Sequence, residues 1–252
     1  MIKLERPPRP TELTDEIIKI KTEIFNRDKE QAVWKEKYIE DALKNMSHDK
    51  CCYCECSLNN PGVYMEIDHF HDKKDYPNEV VFWENLLPSC KTCNSKKSSH
   101  DTLKEPIINP SIDDPRDSLV MCNCVRFRGR DAKGRLTIEV LDLNNTERQC
   151  NIRYQIGNEI KKQIEEVYNS LCDYDNGIKQ KTPKGIGRLR NKILALFEKG
   201  LPNNPYAGTI ATVITTDSLI EDIRQKMEEL SIWTDEINDT YKTLSSISFK
   251  NN

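Results

Sequence analysis

No run of eighteen apolar residues occurs anywhere in the 252 residues, which excludes a membrane-spanning helix and a membrane partner. The N-terminal stretch has no apolar core of the kind that directs secretion. Its ten cysteines are therefore expected to be reduced thiols in a cytoplasmic protein rather than disulfides. A basic excess is missing too, with a net charge of −3 and a pI of about 5.9. Phosphate contacts dominate non-specific affinity for nucleic acid, so any grip on a polyanion has to come from one face or from a partner. There is no internal repeat, no low-complexity tract and no recognisable base-reading element. The hydrophobic fraction is that of an ordinary soluble chain, long enough for one large or two modest cores.

What is present is concentrated between Cys51 and Lys97. Two Cys-x-x-Cys pairs, Cys51/Cys54 and Cys90/Cys93, enclose an insert of 35 residues. Such turns bring thiolates close enough to share a tetrahedral ion, and two of them complete a closed, structural four-cysteine zinc site. Cys52 and Cys56 leave the composition of the first pair open; Cys51 and Cys54 are preferred because their spacing mirrors Cys90 and Cys93. The insert exceeds a minimal zinc ribbon and has room for a working site.

That insert carries Asp68-His69 at the end of a strand-like alternation through Met65, Glu66 and Ile67. An aspartate oxygen suits a hard cation such as Mg²⁺, and a histidine titrating near neutrality can take a proton from water. Asn85 follows in Trp83-Glu84-Asn85-Leu86-Leu87. Asn94 stands directly after Cys93, where a helix through Ser95, Lys96 and Lys97 is expected to begin.

The order Asp68-His69, Asn85, Cys90-x-x-Cys93-Asn94, Lys97 resembles the zinc-ribbon form of the ββα-metal motif of HNH endonucleases, over about fifty residues. The resemblance implies that His69 is the general base, that Asp68 and Asn94 hold one Mg²⁺ or Mn²⁺ on the scissile phosphate, and that Asn85 braces the His69 loop. Asn94 stands where the family name has its second histidine. His71, Lys73, Lys96 and Lys97 are placed to reach phosphates. Weaker phrases, Ile2-Lys3-Leu4-Glu5-Arg6-Pro7, Asn85-Leu86-Leu87-Pro88-Ser89-Cys90 and Leu141-Asp142-Leu143-Asn144 followed by Arg148 and Arg153, are similar to the HNH nuclease subunit of Septu anti-phage systems, whose relatives also accompany some retrons. This similarity implies an ABC-type ATPase partner and a DNA substrate, with RNA such as tRNA left open. The alternative class is a non-catalytic zinc-ribbon module that binds nucleic acid or protein; it has no need of a base beside hard-metal ligands.

Around this module the chain reads as mostly helical α+β, in four parts: a tail and helices over 1–48, the nuclease module over 49–105, a connector and hairpin over 106–143, and a helical region over 144–252. Pro7, Pro8 and Pro10 fix an extended tail. Thr14 caps a helix, and Val33, Trp34, Tyr38, Ala42 and Met46 fall at helical spacing. Leu119 to Phe127 and Leu136 to Leu141 read as two strands joined at Asp131-Ala132-Lys133-Gly134, with Cys122 and Cys124 on one strand face as small buried residues. Beyond Asn145-Thr146-Glu147, the stripe Ile152, Ile156, Ile160, Ile164, Val167 predicts a helix. Gly177 to Gly187 interrupts the helical pattern, and Ser218 with Glu221 has capping-box spacing before a helix through Met227, Leu230 and Trp233. Basic clusters at Lys91/Lys96/Lys97, Arg126 to Arg135 and Lys179 to Lys192 read as solvated faces.

Overall fold

The computed structural model describes residues 1–250 and is α+β, with two small sheets among many helices. Two compact units form: Met1–Leu119 with Arg128–Asn144, and Val120–Phe127 with the chain from Asn145 onward. No helix of the described residues is long and apolar enough to cross a membrane.

In the first unit, helix α1 (Asp15–Arg27) starts where Thr14 Oγ1 accepts the Ile17 amide, and it buries Phe25. Helix α2 (Lys37–Ser47) buries Ile39, Leu43 and Met46 against strand β2 (Leu86–Cys90). Val33 and Trp34 share the spacing of this helix but precede it. Tight turns from Lys35 to Ala32 and from Glu36 to Trp34 hold them in the connecting loop instead. Strand β1 (Met65–His69) pairs antiparallel with β2 in a register that sets Asp68 opposite Leu87 and His69 opposite Leu86. Helix α3 (Lys91–Lys97) follows at once and packs on both strands. It opens at Lys91, so Asn94 lies in its second turn.

The proline-fixed tail is ordered because the hairpin holds it. Arg6 Nη1 donates to the carbonyls of Trp83 (2.7 Å) and Leu86 (3.0 Å), and its guanidinium lies 5.3 Å from the centre of the buried Trp83 ring. Trp83 Nε1 donates in return to Pro7 O at 3.0 Å. The tail therefore satisfies carbonyls at the entrance to β2 that the two-stranded sheet leaves over.

Helix α4 (Pro115–Ser118) is capped by Asp114, and a second hairpin pairs β3 (Leu119–Cys122) with β4 (Arg126–Gly129). Its turn, 123–125, comes before the expected one at 131–134, and the stretch read from sequence as that turn and the strand Leu136 to Leu141 is instead mostly helix α5 (Ala132–Val140). Asp131 Oδ1 accepts the Gly134 amide at 2.6 Å, an N-cap rather than a hairpin turn. The buried face of α5 is Gly134, Thr137 and Leu141, a helical stripe written in small and polar residues. Leu136, Ile138 and Val140 alternate but are only half-buried. Gly134 needs no positive φ; it needs no side chain, because a Cβ there would sit 2.1 Å from Ser118 O. Cys122 ends β3, while Cys124 lies in the turn with φ +57°, so the two do not share a strand face.

In the second unit Asn145 Oδ1 accepts the Arg148 amide and starts a π turn that leads into helix α6 (Asn151–Asp175). Ile160, Ile164, Val167, Leu171 and Tyr174 form its buried stripe, with Ile152 and Ile156 half-buried at its edge. Helix α7 (Pro183–Glu198) begins inside the glycine- and lysine-rich stretch, because Thr182 Oγ1 caps Gly185. The interruption therefore closes at Thr182. Helix α8 (Ala207–Thr216) is apolar nearly all round and packs against α6 and helix α10 (Asp235–Ile247). Helix α9 (Leu219–Glu229) is started by Asp217, whose Oδ1 accepts the Leu219 amide, whereas Ser218 has helical φ/ψ and makes no cap bond; Leu230 and Trp233 lie beyond its end.

Replacing Gly134 by alanine forces a Cβ onto a backbone carbonyl that cannot rotate away, and is expected to cost about 1–3 kcal/mol in chemical denaturation. An unchanged midpoint would refute the close approach of α5 to Ser118 at the end of α4.

Candidate metal centre and adjoining pocket

The two cysteine pairs are held by different backbone devices. The first is a loop closed from Cys51 N to Cys56 O (2.9 Å) and tied to the sheet from Cys52 N to Pro88 O (2.9 Å). The second is the turn from β2 into α3, where Cys90 is the N-cap and its Sγ accepts the Cys93 amide at 3.5 Å. Together they bring the sulfurs of Cys51, Cys54, Cys90 and Cys93 within 4.8 Å of one another, all four residues buried. Four sulfurs at this separation could hold a metal ion such as zinc.

The ambiguity of the first pair has a structural answer. Cys52 lies outside this group, and burial, then its hydrogen bond with Cys51, pushes its thiol well above the ordinary value. In Cys51, burial raises the thiol, but hydrogen bonds from Cys52, Cys54, Cys56 and Cys90 outweigh it and the net shift is well downward. Cys56 is half-buried at the edge of the cluster, its thiol raised by hydrogen bonding to Cys51 and then to Cys54 and Cys90.

Tyr53, inside the first loop, is fully buried and donates its hydroxyl to Asp68 Oδ2 at 2.5 Å. Burial and then Asp68 raise that phenol well above its usual range. Lys97, from the last turn of α3, reaches Asp68 Oδ1 at 3.1 Å and His69 O at 2.6 Å. The Asp68 carboxylate is thus gripped from both sides of the cysteine cluster. Nothing in the order of residues announces Tyr53; it sits between cysteines, and its partner is fifteen residues away.

Asp68, His69 and Asn94 line one cavity of about 220 Å³, with Asp72, Lys73, Lys74, Ser98 and Ser99. His69 is buried, meets the Trp34 ring edge-on at 4.8 Å, and its Nε2 lies 2.8 Å from Val80 O. A carbonyl only accepts, so Nε2 carries the proton and Nδ1 is the basic atom. Burial lowers the imidazole to about 4, with Lys73 adding to the effect and the Val80 bond opposing it. Asn94 is half-buried and donates through Nδ2 to Glu66 Oε2 at 2.7 Å, which leaves Oδ1 as the amide's acceptor atom.

Asn85 lies outside this cavity. Its Oδ1 accepts the His71 amide at 2.7 Å, and Nδ2 donates to His71 O and Glu79 O, so it clamps the loop whose next residue, Val80, orients His69. The residues expected to reach phosphates separate. Lys73 lines the cavity. Lys97 is buried against Asp68 and turned inward, Lys96 pairs with Asp142 at 2.9 Å, and His71 pairs with Glu79 at 2.7 Å. Asp72, which lines the cavity, and Glu66, which holds Asn94 beside it, carry no sequence signal beyond their nearness to Asp68.

No protein-family model matches the chain. It is 37% identical over 240 residues to the Septu protein PtuB of Bacillus thuringiensis, covering 94% of this chain and 90% of that protein. Against the Septu protein PtuB of Bacillus mycoides (strain KBAB4) it is 29% identical over 274 residues, covering 88% and 92%.

Two outcomes follow from this geometry. Purified protein is expected to carry about one zinc per chain, and Cys93→Ser to lose both the metal and a large part of its thermal stability; a metal-free wild type with unchanged stability would contradict the cluster. For His69 the folded form resists protonation, so the unfolded chain binds more protons between pH 6.5 and about 4. Stability is therefore present above pH 6.5 and lost as pH falls through that window, by about 1.4 kcal/mol per pH unit from this group. His69→Asn should show a shallower loss in urea titrations across the same range; an identical slope would refute the buried neutral imidazole.

Proposed function

The chain belongs to the Septu PtuB family, and we propose that it acts there as a metal-dependent endonuclease of the HNH kind, in defence against phage. The observation that supports this most is the convergence of Asp68, His69 and Asn94 on one small cavity beside a four-thiol cluster, from β1 and α3 of a ββα unit. A pure binding module has no need of a buried imidazole whose Nδ1 is left unprotonated.

His69 is the general base in this reading. Its Nε2–H is held by Val80 O, and Val80 is placed by the clamp that Asn85 makes on Glu79 and His71. The ring cannot swing, and at neutral pH it is uncharged. Nδ1 takes the proton of the water that attacks phosphorus, and the 3′ oxygen leaves. Asp68 and Asn94 offer oxygen donors on the same cavity, a set that fits a hard cation better than a soft one; they would hold Mg²⁺ or Mn²⁺. A divalent ion there supplies neutralisation of charge on the phosphate and the departing oxygen. Tyr53 and Lys97 fix the Asp68 carboxylate so that it need not reorganise when the ion arrives.

The partner side of the proposal is an ABC-type ATPase that restrains the nuclease until infection. The net charge of −3 supports it, because a nuclease without a basic excess gains from a partner's phosphate contacts.

Purified chain, free of the ATPase, incubated with plasmid DNA and with tRNA is expected to cut one of them only when Mg²⁺ or Mn²⁺ is added. His69→Ala should fold, keep its zinc and lose about 10²–10⁴-fold in rate. Cleavage at the wild-type rate by that variant would remove His69 as base.

A further inference from the structure

Beside the small cavity lies a larger one of about 570 Å³, and the two share Ile67, Lys73 and Asn94 as a common wall. It is built from the loop before α2 (Trp34, Lys35), the outer face of α2 (Glu40, Lys44), the loop before β1 (Leu58, Val63, Tyr64) and β1 itself. Its size falls within the range of sites for small organic ligands, roughly 300–1,000 Å³. Three features point to what enters it. Part of the lining is apolar: Leu58, Val63, Met65 and Ile67. Tyr64 stands at the rim with 71% of its surface exposed, an aromatic face offered to solvent. The cations are the third feature. Lys35, Lys44 and Lys73 line the groove, and among the described residues none of the three is paired with a carboxylate; Lys73 lies over the Trp34 ring.

We propose that this groove seats one unpaired nucleotide of the strand being cut, its base against the apolar part of the lining and the Tyr64 ring and its phosphates along Lys35, Lys44 and Lys73. This rests on the endonuclease reading and names its substrate class: nucleic acid that is single-stranded, or has a base extruded, next to the scissile bond. A base inside a duplex is stacked and paired and cannot enter a side-chain-lined cavity without being flipped out. Aromatic stacking with flanking cations is the general means by which single strands are held without regard to sequence. Glu40 and Glu66 on the same wall are acceptors for the amino groups of a base, and they disfavour a second phosphate where the base goes.

The test uses the full chain carrying His69→Ala, so that substrate stays intact. A fluorescein-labelled oligonucleotide is titrated as single-stranded DNA, as single-stranded RNA and as the DNA duplex, by fluorescence anisotropy. At least one single strand should bind about tenfold or more tighter than the duplex. Adding Tyr64→Ala should weaken single-strand binding about tenfold, and adding Lys35→Ala should lower the slope of log affinity against log salt by about 0.7. Equal or tighter duplex binding, or single-strand binding that neither substitution alters, overturns the groove. Wild-type protein without any nuclease activity, alongside single-strand binding that Tyr64 and Lys35 control, would overturn the endonuclease reading and leave the groove standing.

Discussion

The approach of the four sulfurs of Cys51, Cys54, Cys90 and Cys93 is the constraint on which the first unit depends. A two-stranded antiparallel sheet is marginal alone in water, and β1 and β2 have only five residues each. The cluster fastens the loop before β1 to the turn after β2, and in doing so fixes both ends of the hairpin. It also delivers two side chains that have no metal role. Tyr53 arrives from the first cysteine loop and Lys97 from the helix that the second loop begins, and the two meet on the oxygens of Asp68. Loss of the cluster would thus undo the site as well as the fold around it.

A second layer of support runs from the opposite side. Arg6 and Trp83 tie the tail to the entrance of β2, next to Asn85. Asn85 in turn holds the loop that presents Val80 to His69. The imidazole is therefore positioned by residues spread over some eighty positions of sequence, none of which touches the cavity except the histidine itself. Burial does the rest, stripping water from the ring and keeping it neutral.

Much of this was legible in the sequence where the signal is local. Cys-x-x-Cys spacing, the Thr14 cap and the long α6 stripe each depend on neighbours a turn away, and each is found. Signals failed where burial is written in unusual residues. Helix α5 hides its face in Gly134 and Thr137, while its apolar residues alternate like a strand and stay half-buried. Lys97 was misjudged for a related reason: it looks like any basic residue at a helix end, and only the fold shows that it points inward at Asp68. Tyr53 and Glu66 could not be found from spacing at all, because their partners Asp68 and Asn94 lie far along the chain.

The central claim is that the thiol cluster and the cavity of Asp68, His69 and Asn94 are two metal sites with different tasks, one structural and one chemical. Anomalous diffraction from a crystal of the protein soaked in Mn²⁺, recorded on both sides of the zinc edge and near the manganese edge, tests it most directly. The account predicts a zinc peak among the four sulfurs and a separate manganese peak bound by Asp68 and Asn94. Zinc at the sulfurs with manganese absent from that cavity, or bound only at exposed carboxylates elsewhere, would contradict it.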